Sequence, residues 1–581
     1  MIKKVLIANR GEIAIRIIKA CKELEIATVA IFADNDRTSS HVTYADEAYN
    51  LGAGSLKDTY LNIEKITDIA IKSGSEAIHP GYGFLSENSA FPRACEEKGI
   101  TFIGPTADVM EAMGDKLRAR AYMKEAGVPL TPGSEKAVNS VEEIVAFGEK
   151  YGYPVALKAS AGGGGRGLRP VYAPEQIKES LEGAKREGKN YFGDDTIYVE
   201  KFLPNPKHIE VQILGDNFGN VIHVGERNCS IQRRHQKLVE ETPSPYLLPE
   251  VRESILNAAV KGAKFLKYRG AGTFEFLEQD NNFYFMEVNT RLQVEHPITE
   301  MVYGIDLVKE QLSIASGKPL SFSQDDIKPR GHSIECRITV EDVKSNFRPT
   351  AGLLEEYIEP TGYGVRVDSI GRKGWNIPSE YDSMIAKLVV WDENRPKAIK
   401  KAHRALKDYI VSGVPTTIDF HSWVMKNAEF IEGNYSTAFI SKNFKPEYLN
   451  SANTQVSQNE PAIKEKESVE VEVNGKLFQV IIYKESDTKS AGTKQIKSKK
   501  KLKEANNSNG NNGNIVAPMA STVVKVHVDL NNPVKSGQVL LVLEAMKMET
   551  DILSPKEGII KEIKIKPGDS VSTGELLMLI E

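Results

Sequence analysis

Residues 448–514 constrain this chain more than any other stretch, because most of them have nothing to fold around. Ser451 to Glu467 is polar, Lys484 to Glu504 holds eight lysines, and Asn506-Asn507-Ser508-Asn509-Gly510-Asn511-Asn512-Gly513-Asn514 follows. Neither tract carries the apolar residues that would offset the entropy of ordering it, so both read as solvated linker. The lysines read as a solvated run rather than a docking site. Between the tracts, strand alternation around Asn474-Gly475 signals a hairpin over 468–483. A lone hairpin is marginal in water, so this one is expected to pack on a neighbour. Folded domains are expected on either side of this segment.

Composition sets the outer bounds. A length of 581 residues predicts about four domains. With 40% hydrophobic and 27% charged residues the chain is ordinary for a soluble globular protein. A net charge of −4 gives no general footing for nucleic acid or an anionic membrane. Cys21, Cys95, Cys229 and Cys336 are too scattered for a disulfide framework or a C-x-x-C metal site, which fits a reducing cytoplasm. The apolar opening stops at Asn9-Arg10, too early for a signal peptide, and no run of about 18 apolar residues follows to span a bilayer.

Along the first hundred residues short apolar strands alternate with helical patterns. Strands are expected at Lys4–Ala8, Ala27–Phe32, Ala77–His79 and Thr101–Ile103, with helices over Ile13–Cys21 and Ile63–Ile71. That rhythm argues a doubly wound parallel sheet. No G-x-G-x-x-G follows the first strand, which speaks against a dinucleotide-binding dehydrogenase. From about Gly127 to Gly331 the pattern becomes antiparallel, as in His208-Ile209-Glu210-Val211-Gln212-Ile213, and an α+β stretch runs on to about Asn450. The last 67 residues, Ile515 to Glu581, are dense in valine and glycine with frequent turns, the pattern of a small all-β module.

Four constellations carry chemistry. Strand Pro154–Lys158 runs into Gly162-Gly163-Gly164-Gly165-Arg166-Gly167. Five glycines in six positions are costly to order, and what they provide is backbone N–H groups that close over phosphate. Lys158 is placed to neutralise that phosphate; the alternative is a flexible surface loop. The second constellation is the pair of strands Gly272–Leu277 and Phe283–Asn289 around the turn Asp280-Asn281-Asn282. A three-residue loop centred on Asn281 pairs 279 with 283, 277 with 285 and 275 with 287. Glu275 and Glu287 then oppose one another with Asn289 on the same face, a repulsion that a shared proton or a divalent cation relieves. An all-oxygen set beside a phosphate cradle suits Mg²⁺. In the third, Arg291-Leu292-Gln293-Val294-Glu295-His296-Pro297, an extended backbone puts Arg291, Gln293 and Glu295 on one side, where they suit a small oxyanion that must be held and deprotonated. His296 reads as structural. In the fourth, Glu544-Ala545-Met546-Lys547-Met548-Glu549-Thr550, a lysine between methionines at a β-turn makes sense as a handle for a modifying enzyme.

Those last residues are the mark of the biotin carboxyl carrier family, in which Lys547 matches the biotinylated position; Ala520-Ser521 stands where Pro-Gly is commoner in that family. Residues 1 to about 447 resemble biotin carboxylase, an ATP-grasp enzyme, through IANRGEIAIRI, HPGYGFLSEN, FIGP, MGDK, KASAGGGGRG, ERNCSIQRRHQK, GAGTFEF, FMEVNTRLQVEHP, IECRI and YDSMIAKL. The resemblance implies an α/β and α+β fold. It comprises a doubly wound parallel-sheet domain over 1–114, an ATP-grasp domain over 115–330, a C-terminal carboxylase domain over 331–447, and a small biotinyl, lipoyl-like barrel over 515–581. It also implies roles. Lys116 and Lys158 match ATP-phosphate lysines, and Gly164 and Gly165 a mobile lid. Glu200, Lys201, Leu203, His208, Gln232, His235 and Leu277 fall where the family holds adenine and ribose. Glu275, Glu287 and Asn289 match its Mg²⁺ or Mn²⁺ ligands, with Glu275 also facing ATP. Lys237, Arg291, Gln293 and Val294 match the bicarbonate cradle, Glu295 the base, and Arg337 the residue facing the ureido oxygen of biotin.

The expected activity is ATP- and bicarbonate-dependent carboxylation of biotin on Lys547, with the linker giving the carrier its reach. The expected partners are a biotin protein ligase and a separate carboxyltransferase β subunit, as in acetyl- or propionyl-CoA carboxylases, within a homo-oligomeric α/β complex. Pyruvate or another acyl-CoA remains open as the acceptor, and a carrier scaffold with a dead ATP site is the alternative from outside the enzymes.

Overall fold

The structure is a computed structural model that describes residues 2–160, 168–449, 465–473, 476–484, 513–518, 521–545, 548–571 and 574–581. The chain divides into two compact units, Met1–Pro446 and Glu447–Glu581.

The first unit opens with β1 (Lys4–Ile7), α1 (Gly11–Glu23), β2 (Ala27–Ala33), β3 (Glu47–Gly52), β4 (Ala77–His79) and β5 (Thr101–Phe102). All neighbouring strands pair parallel in the order β3-β2-β1-β4-β5. The order reverses at β1, the doubly wound arrangement expected from the βαβ rhythm. α1 follows from its sequence: Ile13, Ala14, Ile17, Ile18 and Cys21 are buried, one apolar stripe at helical spacing.

Strands β6 (Val155–Ala159), β7 (Leu168–Val171) and β8 (Ile197–Lys201) form a separate sheet with β6 central. Next come β9 (Lys207–Gly215), β10 (Val221–Arg233), β11 (Gln236–Thr242), β12 (Gly270–Gln279), β13 (Asn282–Asn289) and β14 (His332–Thr339). With strands Met384–Asp392 and Val365–Ser369 they make one eight-stranded sheet, ordered β13-β12-β9-β10-β11-β14 and then those two. This sheet runs without a break through position 330, so residues of the segments 115–330 and 331–447 share one hydrogen-bonded ladder.

In the second unit, Glu465–Val473 pairs antiparallel with Lys476–Lys484. The remaining strands make two four-stranded sheets. One is ordered Asn514–Val516, Leu576–Ile580, Gly558–Ile563, Pro533–Val534; the other Met548–Leu553, Val539–Ala545, Ser521–Val526, Ser570–Val571. Ile515, Val523, Leu540, Leu541, Leu543, Ile560, Leu577 and Met578 close into one apolar core. Ala545 pairs with Met548; the two residues between them, Met546 and Lys547, lie outside the described residues, as do Gly164 and Gly165. No helix among the described residues is long and apolar enough to cross a membrane.

Candidate active site

Four adjacent strands of the eight-stranded sheet carry a row of charge. Glu287 on β13 is opposite Glu275 on β12, Glu275 is opposite Glu210 on β9, and Glu210 is opposite Arg227 on β10. Three carboxylates side by side would repel one another across a ladder. Cations inserted among them hold the row together. The Arg227 guanidinium, fully buried, donates to Glu210 through Nε and to Gln212 Oε1 at 2.8 Å. Lys237 Nζ lies 2.5 Å from Glu210 Oε2, 2.8 Å from Glu275 Oε1 and 2.7 Å from Glu295 Oε1. Lys116 Nζ lies 2.5 Å from Glu287 Oε2, and His208 Nε2 3.1 Å from Glu275 Oε2.

Ladder irregularities shape this site, one of them in β9–β10 between His223 and Glu226, just ahead of the Arg227–Glu210 pair. The β12–β13 turn is a two-residue loop, Asp280-Asn281, with φ of 55° and 63°, the left-handed pair of a tight hairpin turn. The expected three-residue loop is therefore wrong, and so are two of its pairs: Gln279 faces Asn282 and Leu277 faces Tyr284. The ladder then slips between Phe276–Phe285 and Glu275–Glu287, leaving Met286 as the extra residue, and the slip restores the expected Glu275–Glu287 pair. On β11 the register jumps from Ile231–Val239 to Gln232–Lys237, so Leu238 is the extra residue. Residues 237 and 240 would fall on opposite faces of a regular strand; the bulge puts Lys237 and Glu240 on one.

The sequence pattern suggested an extended Arg291 to Glu295, and the structure differs. The segment is a turn that leads into the helix His296–Tyr303, with Glu295 at the cap position. Arg291 Nη1 donates to Gln293 Oε1 at 2.9 Å, its Nη2 to Asn289 Oδ1 at 3.2 Å and its Nε to Glu87 Oε2 at 3.0 Å. Gln293 Nε2 donates to Glu275 Oε1 at 3.1 Å. Glu295, fully buried, receives Lys237 on Oε1 and Arg337 Nη2 on Oε2 at 2.9 Å. His296 Nδ1 sits 2.8 Å from the Gln293 carbonyl, in keeping with a structural role.

The electrostatics follow from burial set against these partners. Burial alone would raise the Glu295 carboxyl, but Lys237, Arg337 and Arg227 hold it well below the usual range. Glu275 is lowered in the same way by Lys237 and His208. Lys237, which burial would lower, is raised well above its ordinary value by Glu210, Glu275 and Glu295. On the second sheet Glu200, buried, is paired with Lys158 and with Arg120 Nη1 at 3.1 Å, and their attraction outweighs burial to lower it.

The other expected residues are placed as follows. Lys201 turns its ammonium to the Gly152 carbonyl at 2.9 Å. Leu203, just after β8, and Leu277 on β12 are half-buried, and Gln232 is opposite Lys237. His235 is exposed at the β10–β11 turn with φ of 66°. Val294 accepts at its carbonyl from Lys387 Nζ at 3.0 Å. The sequence reading missed Glu210, Arg227, Arg120, Glu87, Glu240 and Lys387. Glu210 left a trace there in the polar alternation His208, Glu210, Gln212, and Arg227, Glu87 and Lys387 lie within the quoted motifs without having been singled out. Glu275, Glu287 and Asn289 offer the all-oxygen donor chemistry that a divalent cation takes, and in this structure ammonium groups lie against both carboxylates.

An opposed-carboxylate hairpin with lysine ammonium groups against it, beside a buried glutamate, fits a ligase of the ATP-grasp class. Known families match the chain in order. "Biotin carboxylase, N-terminal domain" covers residues 1–110, "Carbamoyl-phosphate synthase L chain, ATP binding domain" 115–323, "Biotin carboxylase C-terminal domain" 335–442 and "Biotin-requiring enzyme" 513–580. Biotin carboxylase 1 of Bacillus subtilis is 50% identical over 442 residues, 76% of this chain and 98% of that protein. The 2-oxoglutarate carboxylase small subunit of Hydrogenobacter thermophilus is 53% identical over 443 residues, 76% of this chain and 94% of that protein. A pyruvate carboxylase subunit of Methanothermobacter thermautotrophicus is 50% identical over 442 residues, 76% of this chain and 90% of that protein. Among solved structures, the biotin carboxylase domain dimer of the Hydrogenobacter 2-oxoglutarate carboxylase, in complex with MgADP, ADP and bicarbonate, superposes with a TM-score of 0.74 at 52% identity. It covers 76% of this chain and 98% of that one. Biotin carboxylase from Campylobacter jejuni gives 0.75 at 47% identity, covering 76% and 99%. The chain belongs to the biotin carboxylase family, with a biotinyl domain on the same polypeptide. Its activity is the ATP- and bicarbonate-dependent carboxylation of biotin, a covalent cofactor of that domain.

Proposed function

We propose that Glu295 is the base toward bicarbonate and that the chain is the α subunit of an acetyl- or propionyl-CoA carboxylase. The observation that carries the first part is the position of Glu295, fully buried between Lys237 and Arg337. As it stands this carboxylate is too well paired to be a strong base. Bicarbonate held by Lys237, Arg291, Gln293 and the Val294 backbone shares those cations, and the proton affinity of Glu295 rises as its hold on them loosens. Glu295 then takes the bicarbonate proton, and the freed oxygen attacks the γ-phosphate of ATP. Lys116 and Lys158 offset the charge that spreads over the phosphates, the main task in phosphoryl transfer. Glu275, Glu287 and Asn289 would hold Mg²⁺, which supplies further positive charge at the phosphate oxygens. Glu200, Lys201, Leu203, His208, Gln232, His235 and Leu277 enclose the nucleoside end, with Gly164 and Gly165 as its cover. The carboxyphosphate so formed, with ADP as the leaving group, would split to CO₂ and phosphate, and the phosphate would take the ureido N–H proton. Biotin on Lys547 would supply the nitrogen that accepts CO₂, with Arg337 donating to the ureido oxygen.

A carboxyltransferase β subunit and a biotin protein ligase are the partners this reading names, and the biotin carboxylase body is taken as its dimerising part. Pyruvate or another 2-oxo acid is the second reading for the acceptor, favoured by the names of the Methanothermobacter and Hydrogenobacter relatives. Co-purification from the native source, followed by carboxylation assays on acetyl-CoA, propionyl-CoA, pyruvate and 2-oxoglutarate, decides between them. ATP cleavage that requires both bicarbonate and free biotin tests the site itself; its absence would leave only the scaffold reading.

A further inference from the structure

Beneath Arg337 lie two buried acids to which the mechanism above gives no task. Glu240 on β11 and Glu335 on β14 are register partners, and both are fully buried. Cβ atoms of such a pair are about 4.5–5.5 Å apart. Arg337 Nε donates to Glu240 Oε1 at 2.6 Å. The other three oxygens, Glu240 Oε2 and both of Glu335, have no hydrogen-bond partner. The nearby Lys387 ammonium is engaged elsewhere, 3.2 Å from Glu12 Oε2 and 3.0 Å from the Val294 carbonyl. Two adjacent carboxyl groups buried in this way do not both ionise. Burial accordingly raises Glu240 to about 7 despite Arg337, and Glu335 well above the usual carboxylate range.

We propose that Glu335 is a positioning residue that shares one proton with Glu240 and so sets whether Arg337 is held back or free to face biotin. The inference rests on the biotin carboxylase reading. Arg337 has two anchors, Glu240 and Glu295. With the proton on Glu335, Glu240 is an anion and grips the guanidinium. When Glu295 takes the bicarbonate proton, the second anchor weakens. Passage of the shared proton from the Glu335 carboxyl to the Glu240 carboxylate then leaves Glu335 charged and Glu240 neutral, and Arg337 loses its first anchor as well. No proton enters or leaves the pair.

The test uses the full chain and free biotin. The wild-type protein must first turn over with ATP, bicarbonate and biotin; failure there overturns the biotin carboxylase reading and not this one. Glu335→Gln keeps the size and a hydrogen-bond donor but has no proton to pass on. Its kcat for biotin is expected to fall about tenfold, in the range of coupled buried pairs, with KM for ATP and bicarbonate unchanged. The Glu335→Gln/Glu240→Gln double variant is expected to be no slower than the slower single variant. Glu335→Asp, which keeps the acid, is expected to recover part of the loss. In the infrared difference spectrum of wild type minus Glu335→Gln, recorded well above the ordinary carboxylate pKa, the band of one protonated carboxylic acid is expected. Wild-type kcat in Glu335→Gln, additive losses in the double variant, a parallel rise in KM for ATP, or a difference spectrum without that band would each overturn the proposal.

Discussion

The two ends of this molecule solve opposite problems. Unit Met1–Pro446 buries charge in quantity: Arg227, Lys387, Glu210, Glu240, Glu295 and Glu335 are all fully buried. Among the described residues of the biotinyl sheets the only buried polar side chain is Ser554. Their ion pairs, such as Lys561–Glu581 at 3.8 Å, lie at the surface. A site that moves a proton and stabilises phosphate must keep charge out of water, where it acts strongly, and that demands a large scaffold with many compensating partners. A carrier needs a stable fold and an attachment point, and a small apolar core is enough.

The sharpest test of that division is at the handle. Lys547→Arg is expected to abolish avidin recognition completely, while free biotin is still carboxylated; retained avidin binding would place the attachment elsewhere. Glu295→Gln comes next. Bicarbonate-dependent ATP cleavage is expected to fall about 10²–10⁴-fold, the usual worth of a general base, with ATP affinity by calorimetry unchanged. Unaltered turnover would remove Glu295 from its role. A third comparison uses urea unfolding. Arg227→Leu leaves Glu210 buried without its guanidinium and is expected to cost the first unit about 3–5 kcal/mol. Leu541→Ala is expected to cost the biotinyl fold about 2–5 kcal/mol, without touching the first unit's transition. If Arg227→Leu were neutral, the charged row would not be what supports the first unit.

The smallest effect is in pH. Burial raises Glu341 from 4.5 to about 7. The folded state therefore holds this proton more tightly than the unfolded chain, and the stabilisation, complete below 4.5, is lost as pH rises through about 7. Glu341→Gln is expected to remove about 1–3 kcal/mol of that slope from the first unit. An unchanged pH dependence in thermal melts would show that Glu341 titrates normally.

The strands of the parallel sheet and the stripe on α1 were readable because each depends only on neighbours in sequence: an apolar run of strand length, or apolar residues three and four apart. The Glu275–Glu287 opposition was readable because one turn joins its two strands. The pairing was nonetheless reached through a wrong loop length, since nothing in Asp280-Asn281-Asn282 announces the compensating bulge at Met286. Arg291–Glu295 looked extended by alternation, while the backbone turns there to start a helix. The glycine tract and Lys547 speak through residue type alone, and their meaning came from motif.

By itself, then, the amino-acid sequence determined the doubly wound entry and the all-β end, and named the Glu275–Glu287 pair. The tertiary structure alone decided that Glu210, Arg227 and Glu240 belong with them. The row from Glu287 to Arg227 joins two strand pairs, β9–β10 and β12–β13, that are distant from each other along the chain, and the register between them is set by packing over the whole sheet. A bulge of one residue, as at Leu238, turns a side chain from one face to the other, and no local pattern of residues records it.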